Sequence, residues 1–303
     1  MSIPFVRDFE FEYGSCTQIS PNIQRVIANN PGPFTFTGTG VYIIGDKNVA
    51  VIDPGPITPD HQKALKSALA GRRVSHVFVT HHHIDHSPMA KPLAAEHGCK
   101  VYGYGRQSKS PEGGEVRMEA GDDLTFNPDI QIKCGDIFAG DGWTLEAIHT
   151  PGHTSNHMCF ALSEENILFS GDHIMGWSTS VVSPPDGHMG DYLDSLERIL
   201  ERKFARIWPT HGPAIEDVQT FVQAYIDHRY GREAQILDCL NKGTRQISEM
   251  VPCIYSDIDK RLYPAAAHSV LAHLIHMEET GRIRSDGVGG LKSDYFPVKQ
   301  AAQ

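Results

Sequence analysis

The sequence has no CxxC pair, no long apolar run and no excess of basic charge, and each lack removes a class of protein. Its six cysteines (Cys16, Cys99, Cys134, Cys159, Cys239 and Cys253) are scattered over 303 residues. That spacing suits neither a disulfide framework nor a zinc–thiolate site; it fits buried, inert thiols in a reducing compartment. No apolar run approaches the ~20 residues that a membrane-spanning helix needs. The N-terminal MSIPFVRDFEFEYG carries acids where a signal peptide requires a continuous apolar stretch. A cytoplasmic protein without membrane association is therefore expected. Residues 1–230 hold 18 basic against 28 acidic side chains, and residues 231–303 hold nine of each. Neither part has the basic footprint of a strong nucleic-acid binder.

With 40% hydrophobic residues the chain can bury a substantial core. Short β-branched runs alternate with helical patterns from about Val41 to Gly212. The strand-like runs are 41–44, 49–53, 74–80, 100–105, 145–150, 158–162, 167–171 and 206–210, and the helical ones are 60–71, 87–98 and 190–203. Ser87 followed by Pro88 predicts a helix starting there. Strands interleaved with helices predict a layered α/β domain. Near residue 230 the pattern changes to three helical segments, a short strand, a Gly-rich turn and another strand, which reads as a winged-helix module. The expected division is 1–229 for a catalytic domain and 230–303 for a small α(+β) domain.

Histidine is plentiful, at 17 residues. Five apolar runs end in a metal-binding residue type: VFVT in His81-His82-His83-Ile84-Asp85-His86, LEAIHTPG in His153, NILFSG in Asp172, RIWPT in His211 and VAVI in Asp53. A core strand has no packing reason to end in an ionisable group, whereas a shared sheet edge that binds a ligand does. His81 and His83 could share one metal, and Asp85 and His86 could turn toward a second. Imidazoles and carboxylates without cysteine suit catalytic zinc with an open coordination position. Iron and manganese accept overlapping ligand sets.

THHHIDH (80–86) resembles the signature of the metallo-β-lactamase superfamily. The resemblance extends in order through VIDPG (51–55), PGHTSNH (151–157), SGDH (170–173) and PTHG (209–212). The tail, together with GDHIMGWSTSVVSPPDGHMGDYLDSL (171–196), is similar to the β-lactamase-like protein 2 group. That resemblance implies a four-layer αββα sandwich followed by the small winged-helix-like domain. No large insertion separates Asp172 from His211, which excludes the β-CASP nuclease type. The resemblance places His81, His83 and His153 on a first metal, Asp85, His86 and His211 on a second, and Asp172 between them. Asp53 is implied as a carboxylate behind the ligands that orients a histidine.

Two zinc ions, two aspartates and a bridging hydroxide would carry about +1, and paired metals ~3.5–4 Å apart bring the shared water's pKa toward neutrality. The implied reaction is hydrolysis by metal-bound hydroxide, with Asp85 moving the proton. The group implies a single-stranded RNA endonuclease for one branch, cutting a phosphodiester. The alternatives are a glyoxalase II-like thioesterase acting on a small molecule, an iron-dependent persulfide dioxygenase, and a winged-helix regulator whose metal site senses. Cytoplasmic character argues against β-lactamase activity itself.

Phe34, Phe36, His157 and Trp177 are candidate substrate contacts, the last in a Pro- and Gly-rich loop of the kind that shapes pockets. His82 is expected to face outward near the mouth. Ordinary hydrogen bonding is expected of His173 and His188, and a partly solvated helix face of His268, His273 and His276. The tail's net charge of zero favours packing against the catalytic domain, or against a second copy in a homodimer, over nucleic-acid docking. TGTG (37–40) is not a phosphate loop.

Overall fold

The computed structural model describes residues 3–106 and 121–298. Seven strands form a mixed sheet in sequence order: β1 (Cys16–Ser20), β2 (Ile23–Ile27), β3 (Gly40–Ile44), β4 (Asn48–Ile52), β5 (Arg73–Phe78), β6 (Lys100–Gly103) and β7 (Ile130–Gln131). A second sheet holds β8 (Ile137–Gly140), β9 (Trp143–His149), β10 (Met158–Leu162), β11 (Ile167–Gly171) and β12 (Arg206–Pro209), in the order β12-β11-β10-β9-β8. Helices α1 (Pro59–Ala68) and α2 (Ala90–His97) follow β4 and β5, and α3 (Met189–Arg202) precedes β12. The first sheet thus begins two strands before the expected Val41.

Side-chain alternation along the strands produces the layers. Val41, Ile43, Val49 and Val51 face one side of the first sheet and pack with Leu65 of α1 and Leu93 of α2. Tyr42, Ile44, Ala50 and Ile52 face the other side and meet Phe160, Leu162, Ile167 and Phe169 of the second sheet. Cys159, Ala161 and Leu168, on the far side of that sheet, pack on Leu196 and Ile199 of α3. The order is helix, sheet, sheet, helix, the expected αββα sandwich. Each fully buried Val, Leu, Ile or Phe contributes ~1.5–3 kcal/mol over its exposed state. A one-residue slip of a strand would turn that set outward, so burial fixes the register.

Helix α4 (Val218–Asn241) runs unbroken through residues 229 and 230. Its early residues Phe221, Val222 and Tyr225 belong to the sandwich core. Ile236 and Leu240 belong to a second core with Met250, Leu274, Met277 and Tyr295. That core unites α5 (Ile247–Ile254), α6 (Tyr263–Glu279) and a hairpin of β13 (Ile283–Ser285) and β14 (Tyr295–Pro297). No helix among the described residues is long and apolar enough to cross a membrane.

Two local expectations are corrected. Helix α2 begins at Ala90, because the Ser87 hydroxyl donates to Asp123 Oδ2 at 2.8 Å and does not cap a helix there. His268 and His273 are buried rather than partly solvated. His273 and the half-buried His276 direct Nδ1 at the Glu233 carboxylate of α4, 3.4 and 2.7 Å away. His188 bonds Glu279 at 2.9 Å, the ordinary pairing expected of it.

Candidate metal centre

Parallel pairing brings the chemistry-bearing residues to one edge. Strands β4 and β5 are parallel, as are β11 and β12, so each pair ends on the same side. Asp53 follows β4, the 81–86 block follows β5, Asp172 follows β11 and His211 follows β12, while His153 lies in the turn between β9 and β10. Backbone hydrogen bonds clamp the two sheets there: Met158 N donates to Thr80 O and Gly40 N to Thr210 O, both at 2.8 Å.

The ligand-type atoms fall into overlapping groups, each within 4.8 Å: His81, His83 and His153; Asp85, His86 and His211; and His81, His86 and Asp172. Asp172 Oδ2 lies 3.3 Å from His211 Nε2, 3.5 Å from His86 Nε2 and 4.0 Å from His153 Nε2. Asp85 Oδ2 lies 3.2 Å from His86 Nε2 and 3.1 Å from His211 Nε2. Every residue of the sequence-derived set is in this cluster.

The outward-facing nitrogens show which atoms remain to bind. His86 Nδ1 faces Asp53 Oδ2 at 2.9 Å, His153 Nδ1 the Val181 carbonyl at 2.7 Å, and His211 Nδ1 the Gly38 carbonyl at 3.1 Å. These partners only accept, so Nδ1 carries the proton and Nε2 presents a lone pair to the cluster. His81 reaches Thr80 Oγ1 through Nδ1, and that hydroxyl donates to Asp53 Oδ2. His83 is reversed, with Nε2 facing Asp122 and Nδ1 2.8 Å from His81 Nε2. Asp172 Oδ1 is buried without a hydrogen-bond partner among the described residues. Five imidazole lone pairs and two carboxylates converging out of water form a donor set that cations satisfy.

Charge points the same way. Burial and the neighbouring His86 and His83 hold His81 well below the usual histidine range, so it stays neutral. Burial brings His83 down to about 4. Burial would lower His211 too, but Asp172 and Asp85 push it up to about 10. His86 is raised well above its ordinary value against the same opposition, by Asp85, Asp172 and Asp53. The buried carboxylates thus require positive charge beside them, which cations would supply.

A metallo-β-lactamase superfamily profile matches residues 35–211, and a beta-lactamase associated winged helix domain matches residues 247–290. The chain belongs to the metallo-β-lactamase superfamily. Superfamily members are hydrolases, and this chain has their fold and a cluster compatible with metal binding. A beta-lactamase-like protein 2 homolog of Drosophila melanogaster is 32% identical, covering 88% of this chain and 91% of the fly protein. An atrochrysone carboxyl ACP thioesterase of Cryptosporiopsis sp. is 31% identical, covering 94% and 88%. A beta-lactamase domain protein from Burkholderia ambifaria superposes with a TM-score of 0.79 at 18% identity, covering 98% of this chain and 97% of that one.

Asp53 does more than the motif suggests. It is fully buried with φ +48, and besides His86 it accepts from Thr80 N (2.8 Å), Thr80 Oγ1 (2.8 Å) and Thr210 Oγ1 (3.1 Å). It therefore ties β4, β5 and β12 together behind two histidines. Asp53→Ala is expected to weaken metal affinity by roughly 10–100-fold, measured by chelator competition, while the chain still folds around the sandwich core. Thr80 and Thr210, not among the candidates expected from the sequence, each stand directly before a cluster histidine, and that repeated TH pair is the signal that could have found them.

Several expectations need correction. His82 does not face outward; it is buried, with Nδ1 3.0 Å from Asn156 Oδ1 and Nε2 3.2 Å from Asp122 Oδ1. His157 is fully buried and does not reach the cavity. Its Nδ1 bonds Thr150 Oγ1 at 2.9 Å and its Nε2 accepts from Asp172 N at 3.2 Å, which fixes the Asp172 backbone. His173 has no hydrogen-bond partner for either ring nitrogen among the described residues, and its ring lies 4.7 Å from Tyr192. Phe36 backs the pocket rather than lining it, stacked 4.7 Å from Trp177. Phe34 and Trp177 do line a cavity of about 370 Å³ over the cluster.

That cavity has a floor of His83, Asp85, His153, Asp172 and His211 and a wall from the 175–182 loop. Ile258, Leu262, Ala265 and Ala266 of the C-terminal domain also line it. The winged helix therefore packs on the catalytic domain and shapes the site.

Proposed function

We propose that this chain is a dinuclear zinc-dependent hydrolase of small ester or thioester substrates. The carrying observation is the cavity of about 370 Å³, with the histidine–aspartate cluster as its floor and apolar side chains of both domains around it. Its size suits one small molecule. His81, His83 and His153 would hold one ion, and Asp85, His86 and His211 the second, with Asp172 between them. Metal ions bound there supply a water of near-neutral pKa and polarise the substrate's carbonyl oxygen. Asp85 lines the cavity, and Thr39 Oγ1 donates to its Oδ2 at 3.2 Å. It is the base that takes the proton of the attacking water and returns it to the departing thiol or alcohol as the carbonyl–heteroatom bond breaks. The His157 bond to Asp172 N keeps that carboxylate facing the cavity, and Trp177 and Phe34 exclude water from the acyl group.

The thioesterase among the relatives supports this reading, and the net charge of −10 favours a small acyl compound over RNA. Metal-loaded protein is to be assayed on S-lactoylglutathione, a panel of ester, thioester and lactone substrates, and a labelled single-stranded RNA. Turnover of thioesters or esters in preference to RNA is the expected result. RNA cleavage with no acyl turnover would replace this reading with the phosphodiester one. Elemental analysis of protein purified without added metal decides zinc against iron or manganese.

A further inference from the structure

The cavity does not end at the metal cluster. It also meets one face of α4, where His228, Arg229 and Arg232 line it together with Tyr255. Arg229 is 3% exposed, and its Nη2 donates to the Ser180 carbonyl at 2.6 Å, yet its Nε has no hydrogen-bond partner among the described residues. Arg232 donates through Nη1 to Gln235 Oε1 and the Ile254 carbonyl, and its guanidinium lies 4.1 Å from the centre of the Tyr255 ring. Its Nε and His228 Nδ1 are likewise buried without a hydrogen-bond partner among the described residues. Among the described residues neither arginine forms an ion pair; the nearby buried carboxylate, Glu233, is engaged by His273, His276 and Arg282. The Arg229 guanidinium is desolvated without an anion, which is costly, and Arg232 is half-buried on the same cavity wall; a ligand that brings the anion relieves that cost.

We infer that Arg229 and Arg232 form a subsite for an anionic group at the end of the substrate remote from its scissile carbonyl, so that the preferred substrates are acyl esters or thioesters carrying a carboxylate or phosphate. The inference rests on the hydrolase reading above. The apolar side chains that line the same cavity, including Val181, Ile258 and Leu262, take the hydrocarbon portion. The winged-helix domain thereby sets specificity: its Tyr255 stacks on the arginine that recognises the anion.

The test uses the full metal-loaded chain and Arg232→Gln, with Arg232→Lys as the charge-retaining variant and a thermal melt to show that each folds. Three thioesters separate the two sources of negative charge. One is a hexanoyl thioester of a neutral thiol, one the adipoyl thioester of the same thiol, and one a hexanoyl thioester of 3-mercaptopropionate. We expect at least one anionic member to exceed the neutral one about tenfold in kcat/KM, mainly through KM, as suits a charge-assisted hydrogen bond. Arg232→Gln should abolish the margin, and Arg232→Lys should restore part of it. Equal kcat/KM for all three, or a margin that survives Arg232→Gln, would overturn the subsite while leaving the hydrolase reading intact. Calorimetric titration with adipate and with hexanoate judges the arginines without catalysis. Tighter adipate binding that Arg232→Gln removes supports the subsite even if no thioester is cleaved, an outcome that would end the hydrolase reading alone. Equal affinities with no turnover would end both.

Discussion

Asp172→Ala is expected to reduce bound metal from two ions per chain to one or none, and to lower hydrolysis by at least ~10³-fold, about 4 kcal/mol of transition-state stabilisation. The expectation follows from where this carboxylate stands. Its Oδ2 is within 4.0 Å of Nε2 of His86, His153 and His211, so it touches both histidine groups. Two divalent ions held by five neutral imidazoles and Asp85 alone would face each other with one negative charge fewer between them. In a site out of water that repulsion is poorly screened. Asp172 closes no hydrophobic gap, and its Oδ1 bonds nothing among the described residues, so the variant should fold. Metal stoichiometry by elemental analysis and kcat/KM on the best thioester check the prediction. Two retained ions with activity within tenfold of the parent would count against a shared ligand at this position.

The second large effect concerns stability. Glu233 is 2% exposed on α4 and receives Arg282 Nη1 at 2.7 Å, His276 Nδ1 at 2.7 Å and His273 Nδ1 at 3.4 Å. These partners come from α6 and the start of the terminal hairpin, so one carboxylate pins the C-terminal domain to α4. Glu233→Ala leaves Arg282 and two imidazoles without their acceptor, and about 3–5 kcal/mol of stability should be lost. Denaturant unfolding followed by circular dichroism measures it. The pH dependence has a definite sign. Burial would raise the Glu233 pKa, but the hydrogen bonds from His273, His276 and Arg282 outweigh it and hold the folded value well below the ordinary 4.5. Its contribution is therefore complete above pH ~4.5 and is lost as acid takes the pH down toward the folded value. Burial brings His273 down to about 4, so it donates as a neutral ring above that pH. The parent should lose stability below pH 4.5 more steeply than Glu233→Gln.

Much of the cluster was legible because metal ligands leave a chemical mark: ionisable groups stand where strands end, in five ordered motifs. Less of the surrounding support was visible. His157 and Trp177 looked alike as pocket candidates, both polar-tipped rings in irregular segments, and only packing separates them. His157 is enclosed between Thr150 and the Asp172 backbone, whereas Trp177 lines the cavity. His273 sits on a helix rich in alanine, leucine and histidine, and sequence spacing could not reveal that a glutamate forty residues earlier turns toward it. Nothing in the sequence sets Arg229 and Arg232 apart from solvated charges on a long helix; only the fold places both on the cavity wall.

The residue order by itself determined the strand-and-helix alternation, the histidine–aspartate set and the winged-helix tail, because periodicity and ligand chemistry are local properties of a chain. Only the tertiary structure decided which nitrogen of each imidazole faces inward, that α4 serves two cores at once, and that arginines line the same cavity as the cluster. Those features depend on surfaces meeting across large sequence separations, where burial and partner geometry, rather than residue type, set what a side chain does.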